Sequence, residues 1–319
     1  MGLNSGKTLF GHTKSKYVKL IVAAVIVVIS LVYVYKDYKS FEKVQRAVDS
    51  ADGMFSVHYI DIGQGDATLL RSPSGKFMLI DCGPTGSSGY LVKYLYDMGV
   101  VRLDYVLITH PHEDLFGGVY SVMEHFEIEE LVIHEDFAET YPYDKYLRMA
   151  DDYGYDVVLT SVGDKFEFGG CAEFEIIGPA RTDADDLNES SLCFRVVYEN
   201  TAFMFTGDAE FETERSLLLT GKPLKANVLQ AGHHGSSTSN TVDFVKAVNP
   251  EYAVVSCAKN NDYGHPHRET VRIFDNEGIK MLRTDEKGSI VFVSDGKEVT
   301  YLENFFEYGG AFTDKAATA

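Results

Sequence analysis

Tryptophan is absent from the 319 residues, and cysteine is scarce: Cys82, Cys171, Cys193 and Cys257. None of the four is spaced as CxxC, which argues against a zinc knuckle. Cys82 and Cys193 fall in strand-like apolar runs, a setting for buried free thiols. A disulfide would require the domain to lie outside the cell. Positive charge is also in short supply: 29 Lys and Arg stand against 48 Asp and Glu, for a net charge of −19. Lys7, Lys14, Lys16 and Lys19 sit in the first nineteen residues with no acid among them, so the remainder is more acidic still. Such a body repels phosphate backbones at long range and counts against a non-specific nucleic-acid binder. It does not exclude a nuclease whose bound cations supply local positive charge. There is no internal repeat and no low-complexity tract.

Only one long hydrophobic run occurs. "YVKLIVAAVIVVISLVYVY", residues 17–35, is apolar apart from Lys19 and Ser30. Its stretch from Leu20 to Tyr35 spans about 24 Å as a helix. Lys19 can snorkel, and the flanking tyrosines suit a membrane interface. No small-x-small cleavage site follows, so the run reads as a retained anchor rather than a signal peptide. The short, acid-free tail before it places the N-terminus inside and the large domain outside the cell. The expected organisation is a basic tail (1–16), a transmembrane helix (17–35), a polar stalk (36–53), one globular domain (54–304) and a C-terminal tail (305–319).

Within the domain, strand-like runs such as "FSVHYIDIG", "KFMLIDCG" and "LDYVLITH" alternate with helical spacing in "GYLVKYLYDMGV" and "GGVYSVMEHF". Hairpins occur in part and βα alternation in part. Two sheets sandwiched between outer helices satisfy both patterns.

Chemistry-bearing residues stand where strands end. These are Asp61 and Asp66 in "DIGQGD", Asp81 in "IDCG", His110, His112 and Asp114 in "THPHED", Asp208 in "TGDAE", His233 and His234 in "GHHGSS", and His265 and His267 in "YGHPH". A lone histidine is more often a surface or satisfied core residue. An H-x-H-x-D turn is stronger, because alternate residues of an extended segment point the same way. Imidazole nitrogen with carboxylate oxygen suits Zn2+ or Mn2+. His58 reads as packed or capping, and His125 and His134 as surface residues. Tyr141, Tyr143 and Tyr146 read as covering a helix–sheet seam, with a substrate groove as the alternative.

The segments "VHYIDIGQGDATLL", "MLIDCG", "THPHED", "SSLCFRV", "FTGDAE", "GHHGSSTSN", "KNNDYGHPH" and "RTDEKGSIVF" resemble, in order and spacing, one branch of the metallo-β-lactamase fold. That branch is the hydrolase domain of the ComEC family of DNA-uptake membrane proteins. The resemblance implies an αββα sandwich (class α/β, α+β) with one or two Zn2+ or Mn2+ ions between the sheets. It makes His110 and His112 ligands of a first metal and Asp114 and His265 ligands of a second, with Asp208 bridging. His233 is placed beside the scissile phosphate, and Asp81 behind a ligand histidine. Asn188 and Ser191 occupy the segment where other members use a third histidine. Ser236 and His267 become substrate or supporting residues. Asp114, His233 and His234 are the candidates for proton transfer.

One position departs from that pattern. The wider fold reads H-x-H-x-D-H, and here Leu115 replaces the last histidine. The second site could then bind its metal more weakly, be lost, or recruit His267; a site without metal is the remaining alternative. The expected activity is metal-dependent hydrolysis, of a phosphodiester or nucleic acid. The alternatives are a weakened binding or sensor module and a hydrolase of a cell-envelope ester. The expected setting is the cell membrane, single-pass, and nothing in the sequence marks an obligate protein partner.

Overall fold

The computed structural model describes residues 18–35, 53–135, 143–182 and 186–303. The expected basic tail, the C-terminal tail and nearly all of the stalk lie outside these residues. The chain divides into two units, residues 1–46 and 47–319. In the first, helix α1 (Val18–Tyr35) is long and apolar enough to cross a membrane, with a mean hydropathy of 2.6 and no residue of that window buried.

In the second unit the described residues form two sheets. The first has eight strands in the order β15-β14-β1-β2-β3-β4-β5-β6. Its members are β1 (Phe55–Tyr59), β2 (Thr68–Arg71), β3 (Phe77–Ile80), β4 (Arg102–Leu107), β5 (Glu127–His134), β6 (Asp156–Thr160), β14 (Ile290–Ser294) and β15 (Val299–Tyr301). The second has seven, in the order β13-β12-β11-β10-β9-β8-β7. These are β7 (Lys165–Phe168), β8 (Ala172–Gly178), β9 (Cys193–Tyr198), β10 (Thr201–Phe205), β11 (Val228–Gln230), β12 (Tyr252–Val255) and β13 (Lys280–Arg283).

Each sheet changes character along its width. β14, β1, β2 and β3 pair antiparallel, whereas β3 to β6 pair parallel. In the same way β7 to β10 are antiparallel and β10 to β13 parallel. Parallel neighbours require crossovers, so helices must lie on the outer faces. The inner faces meet in an aromatic core in which Phe55, Tyr59 and Phe292 pack with Phe174, Phe194 and Phe205. Alternation explains this: Phe55, Val57 and Tyr59 point in, while Ser56 and His58 point out.

Outside the second sheet, α6 (Phe211–Leu219), α7 (Val242–Val248) and α8 (Arg268–Glu277) bury Leu217, Phe244, Val248 and Phe274. Each such side chain contributes about 1.5–3 kcal/mol. Outside the first sheet lie α2 (Ser88–Asp97) and α4 (Val119–His125), in contact with each other. His58 bonds the Tyr94 hydroxyl of α2 at 3.0 Å and Ser56 Oγ at 3.1 Å, a packed role. The layers are therefore α, β, β, α, as expected.

His134 is not a surface residue: it ends β5, between β4 and β6, and is buried. His125 is exposed. Tyr146 of α5 (Tyr143–Tyr153) is fully buried, with its ring 5.4 Å from Phe116, so it covers a seam and lines no groove. Tyr141 lies outside the described residues. All four cysteines are free, Cys171 exposed and the others buried.

Candidate metal centre

The loops at the C-terminal ends of the parallel strands carry the site. Asp81 follows β3, His110 follows β4, Asp208 follows β10, His233 and His234 follow β11, and His265 lies beyond β12. In open parallel sheets these ends form the crevice in which ligands bind.

The chain leaves β4 through a bend at Thr109 and is extended at His112 (φ −71°, ψ 149°). His110 and His112 share a side, with His110 Nε2 3.0 Å from His112 Nδ1. Asp208 Oδ2 lies 3.7 Å from His110 Nε2. His110, His112 and Asp208 form a group able to hold one metal ion. Burial, first, and His112 push the His110 pKa well down, which keeps the imidazole neutral and a nitrogen lone pair available. Ser191 Oγ accepts the Asp208 backbone N–H at 3.1 Å and lies 3.1 Å from His110 Nδ1. A hydroxyl oxygen accepts two bonds, so a proton on Nδ1 leaves Nε2 free for a metal.

The alternation expected to run on to Asp114 stops at His112. Asp114 lies in the single-turn helix α3 (Glu113–Phe116), whose first turn holds both acids, where a helix N-terminus favours them. Its Oδ2 meets His234 Nε2 at 3.1 Å rather than the His110–His112 pair. Leu115, in the same turn, is fully buried.

A second group forms here. Asp66, Asp208 and His234 are all buried and arranged to hold a metal ion. His234 Nδ1–H donates to the Ser256 carbonyl at 3.1 Å, which turns Nε2 toward Asp114 and, at 3.6 Å, Asp208 Oδ1. A backbone carbonyl behind a ring nitrogen is a common support for a ligand histidine. Burial alone would lower the His234 pKa, but the carboxylates of Asp208, Asp66 and Asp114 outweigh it and raise it to about 10. Burial pushes the Asp208 carboxyl up to about 8. Asp66 Oδ2 and Asp208 Oδ1 are buried without a hydrogen-bond partner. The His234 ring, 3.5 Å from Asp66 Oδ2 and 3.6 Å from Asp208 Oδ1, offsets their charge in part; several carboxylates around one imidazole still leave negative charge that a cation would neutralise, so the donor set fits divalent metal.

Two strained residues present the histidines. His233 (φ 49°, ψ 51°) and His234 (φ 53°, ψ 27°) both adopt left-handed backbone, which costs about 1–3 kcal/mol each and persists only where the surroundings enforce it. Asn240 supplies much of that enforcement by bonding both the N–H and the carbonyl of Gly232. The Gly207 carbonyl accepts the His233 N–H at 3.0 Å. His233 Nδ1 lies 3.1 Å from Glu210 Oε1, and its Nε2 is 3.9 Å from Asp208 Oδ2. Glu210 Oε1 also accepts from Thr238 Oγ1 at 2.9 Å and Asn188 Nδ2 at 3.4 Å.

The remaining expected residues are placed differently from one another. Asp81 reaches a ligand histidine only through Thr109, accepting its N–H at 2.8 Å and its hydroxyl at 2.9 Å; Thr109 Oγ1 is 3.4 Å from His110 Nδ1. Ser236 Oγ is tied to Thr238, accepting its N–H at 3.2 Å and lying 2.9 Å from its Oγ1, which makes it a loop staple. His265 belongs to neither donor group; Gln64 Nε2 lies 3.5 Å from its Nδ1, and its ring is 6.0 Å from that of His234. His267 accepts the Ser237 N–H at 2.9 Å on Nδ1 and donates from Nε2 to the Tyr263 carbonyl at 3.1 Å, so it has no nitrogen to replace the histidine missing at 115. Asp66 as a donor, His234 as a ligand and Glu210 behind His233 were not assigned from the sequence. The glycine in "DIGQGD" was the available signal: a Cβ on Gly65 would stand 2.1 Å from the Asp114 carbonyl, so that loop must press against α3.

Residues 60–259 match the Metallo-beta-lactamase superfamily. The chain is 30% identical to ComE operon protein 3 of Bacillus subtilis over 253 residues, 74% of this chain and 32% of the relative. It is 32% identical to competence protein ComA of Neisseria gonorrhoeae over 234 residues, 73% and 31% respectively. It thus spans about a third of the length of these curated relatives. The fold is also similar to that of CmlA, a diiron beta-hydroxylase from Streptomyces venezuelae, with TM-score 0.51 and 15% identity over 78% of this chain and 54% of that one. With its paired donor groups at the ends of two facing sheets, the chain belongs to the metallo-beta-lactamase superfamily of metal-dependent hydrolases and is related to the ComEC competence proteins.

Proposed function

We propose that this protein is a metal-dependent phosphodiesterase, nuclease-like in its chemistry, held at the cell surface by a single pass of α1. The observation that carries the reading is Asp208, which is shared by both donor groups. One carboxylate between two cation sites matches the arrangement that clamps the attacking and leaving oxygens of a phosphodiester. His110, His112 and Asp208 would hold the first ion; Asp66, Asp114, Asp208 and His234 would hold the second, so the altered site takes its donors from elsewhere in the fold. The first group, two nitrogens and a carboxylate, suits zinc or manganese; the carboxylate-rich second leans toward manganese. Bound metal supplies a water of lowered pKa and charge compensation for phosphate oxygens.

The chain's own groups do the rest. Glu210 accepts the Nδ1 proton of His233, which leaves Nε2 unprotonated and facing the centre, where it can accept a proton from an attacking water. Asp114, held below the usual carboxylate range at about 2 by His234 against the opposing effect of burial, stays ionised and ready to accept hydrogen bonds.

The test joins metal analysis of the purified protein to assays on bis-p-nitrophenyl phosphate and single-stranded DNA. His110→Ala should abolish turnover and release the first ion, and Asp66→Asn should lower the stoichiometry from two toward one. Turnover surviving His110→Ala, or a metal-loaded protein inert on both substrates, refutes the reading. Protease added to intact cells should remove residues 54–319; protection until lysis refutes the outward placement.

A further inference from the structure

A row of rings leads out of the centre to solvent. His265 lies 5.5 Å from His233 and 6.0 Å from His234, centroid to centroid. Tyr263 stacks on His265 at 5.6 Å with an interplanar angle of 21°. Tyr263 is nevertheless 67% exposed, so the face away from His265 is open. An apolar ring surface left in water beside a reaction centre is a surface a ligand can cover.

The segment that presents this ring is fixed. Asn261 accepts the His265 N–H at 2.9 Å and donates to the His265 carbonyl at 2.7 Å. Gln64 Oε1 accepts the Ala258 N–H at 3.2 Å. His267 ties the Tyr263 carbonyl to the loop after His234 through both ring nitrogens, and its own N–H bonds the Gly235 carbonyl at 3.0 Å. The tyrosine backbone is thus braced against the loop that carries His233 and His234. A ring held in advance loses little entropy when another ring stacks on it.

We infer that Tyr263 is the stacking platform for a base of a nucleotide phosphodiester whose phosphate lies at the metal centre. The inference rests on the phosphodiesterase reading and names its substrate class. The platform stands two ring contacts from His233, in reach of the base next to a phosphate at the centre. A single ring also fits a base better than a quaternary ammonium group, which is recognised by cages of several aromatic walls; no second exposed aromatic is in ring contact with His265 among the described residues. Stacking tolerates any base, because every base has a π-face.

The experiment uses the full chain in detergent, loaded with manganese, with a short oligothymidylate and glycerophosphocholine as parallel substrates. Tyr263→Ala should lower the ratio of kcat/KM on the oligonucleotide to that on the aliphatic diester about tenfold, toward the low end of base–aromatic stacking. The change should lie in KM rather than kcat. Tyr263→Phe should keep the ratio, because the ring and not the hydroxyl does the stacking. An unchanged ratio in Tyr263→Ala overturns the platform. A selective loss on glycerophosphocholine also overturns it, and assigns the ring to a cation instead. Binding of a fluorescein-labelled, methylphosphonate-linked oligothymidylate by anisotropy provides an arm independent of turnover. Weaker binding by Tyr263→Ala supports the platform even if the wild type cleaves neither substrate, an outcome that would sink only the phosphodiesterase reading. Equal binding by both proteins refutes it.

Discussion

Ser191→Ala separates a supporting role from a packing one. The Ser191 hydroxyl lies 3.1 Å from both the Asp208 backbone N–H and His110 Nδ1, and so joins two residues of the first donor group. All three residues are buried. Removing the hydroxyl orphans the Asp208 N–H, at a cost of about 1–3 kcal/mol in stability. It also frees the His110 ring to rotate. Thr109 Oγ1 is the nearest replacement, but it sits 3.4 Å away and is already engaged by Asp81. Loss of an outer partner of this kind typically weakens metal binding 10–100-fold, or about 1.4–2.8 kcal/mol. The expected result is therefore a double one: a urea midpoint lowered in metal-free protein, and a first-site affinity lowered about 30-fold in competition with a chelator. A variant that loses stability but binds zinc or manganese with wild-type affinity refutes the argument, because Ser191 would then only fill space.

Two further substitutions probe the surroundings of the centre. Leu115→His replaces a fully buried leucine; it should cost about 3 kcal/mol or more in unfolding free energy with no change in metal stoichiometry, and a gained ion with unaltered stability would show that position 115 faces the centre after all. Glu214 accepts the Asn240 N–H at 2.5 Å and the Thr241 N–H at 2.8 Å, yet burial outweighs these bonds and raises its carboxyl from 4.5 to about 7. Between those values the folded state binds more protons than the unfolded, so this group's contribution to stability falls as pH rises. The stability difference between wild type and Glu214→Gln should change by up to about 3 kcal/mol across that window, measured by urea unfolding at several pH values; a pH-independent difference removes the assignment.

What the sequence made legible follows from how local each feature is. Alternation located β1, and continuous apolar runs located β3 and β4, because burial on one or both faces writes itself into neighbouring residues. The His110–His112 pair was readable for the same reason: two residues on one extended segment must share a side. β6 was not read. It is an edge strand with Asp156 and Leu159 exposed, so its pattern is blunted. α8 was missed as well, since Thr270 and Phe274 are its buried residues amid charged neighbours. His134 looked polar and therefore exposed, but a strand between two parallel neighbours buries whatever it carries. The second donor group was least legible. Asp66 and His234 stand 168 residues apart and meet only because the two sheets face each other. No period within either segment encodes that meeting.

The departure at Leu115 takes on a different meaning once the fold is known. Counted along "THPHEDL", the site looks one nitrogen short. Counted in space, a nitrogen is present: His234 Nε2 lies 3.1 Å from Asp114 Oδ2 and 3.6 Å from Asp208 Oδ1. Two backbone features put it there. The left-handed pair His233–His234 turns the chain sharply enough for the rings to diverge, one toward Glu210 and one toward Asp114. Gly65, lacking a Cβ, lets the "DIGQGD" loop close on the Asp114 carbonyl, so that Asp66 Oδ2 arrives 3.5 Å from His234 Nδ1. Both features are costly in isolation, and neither stabilises the aromatic core. They coincide around two buried carboxylates, Asp66 and Asp208, and the half-buried Asp114, a grouping that suits a cation. A relic released from function would be expected to relax such strain before it lost its core. This is the ground for the second site proposed above, in which His234 supplies the nitrogen while Leu115 stays packed in its turn.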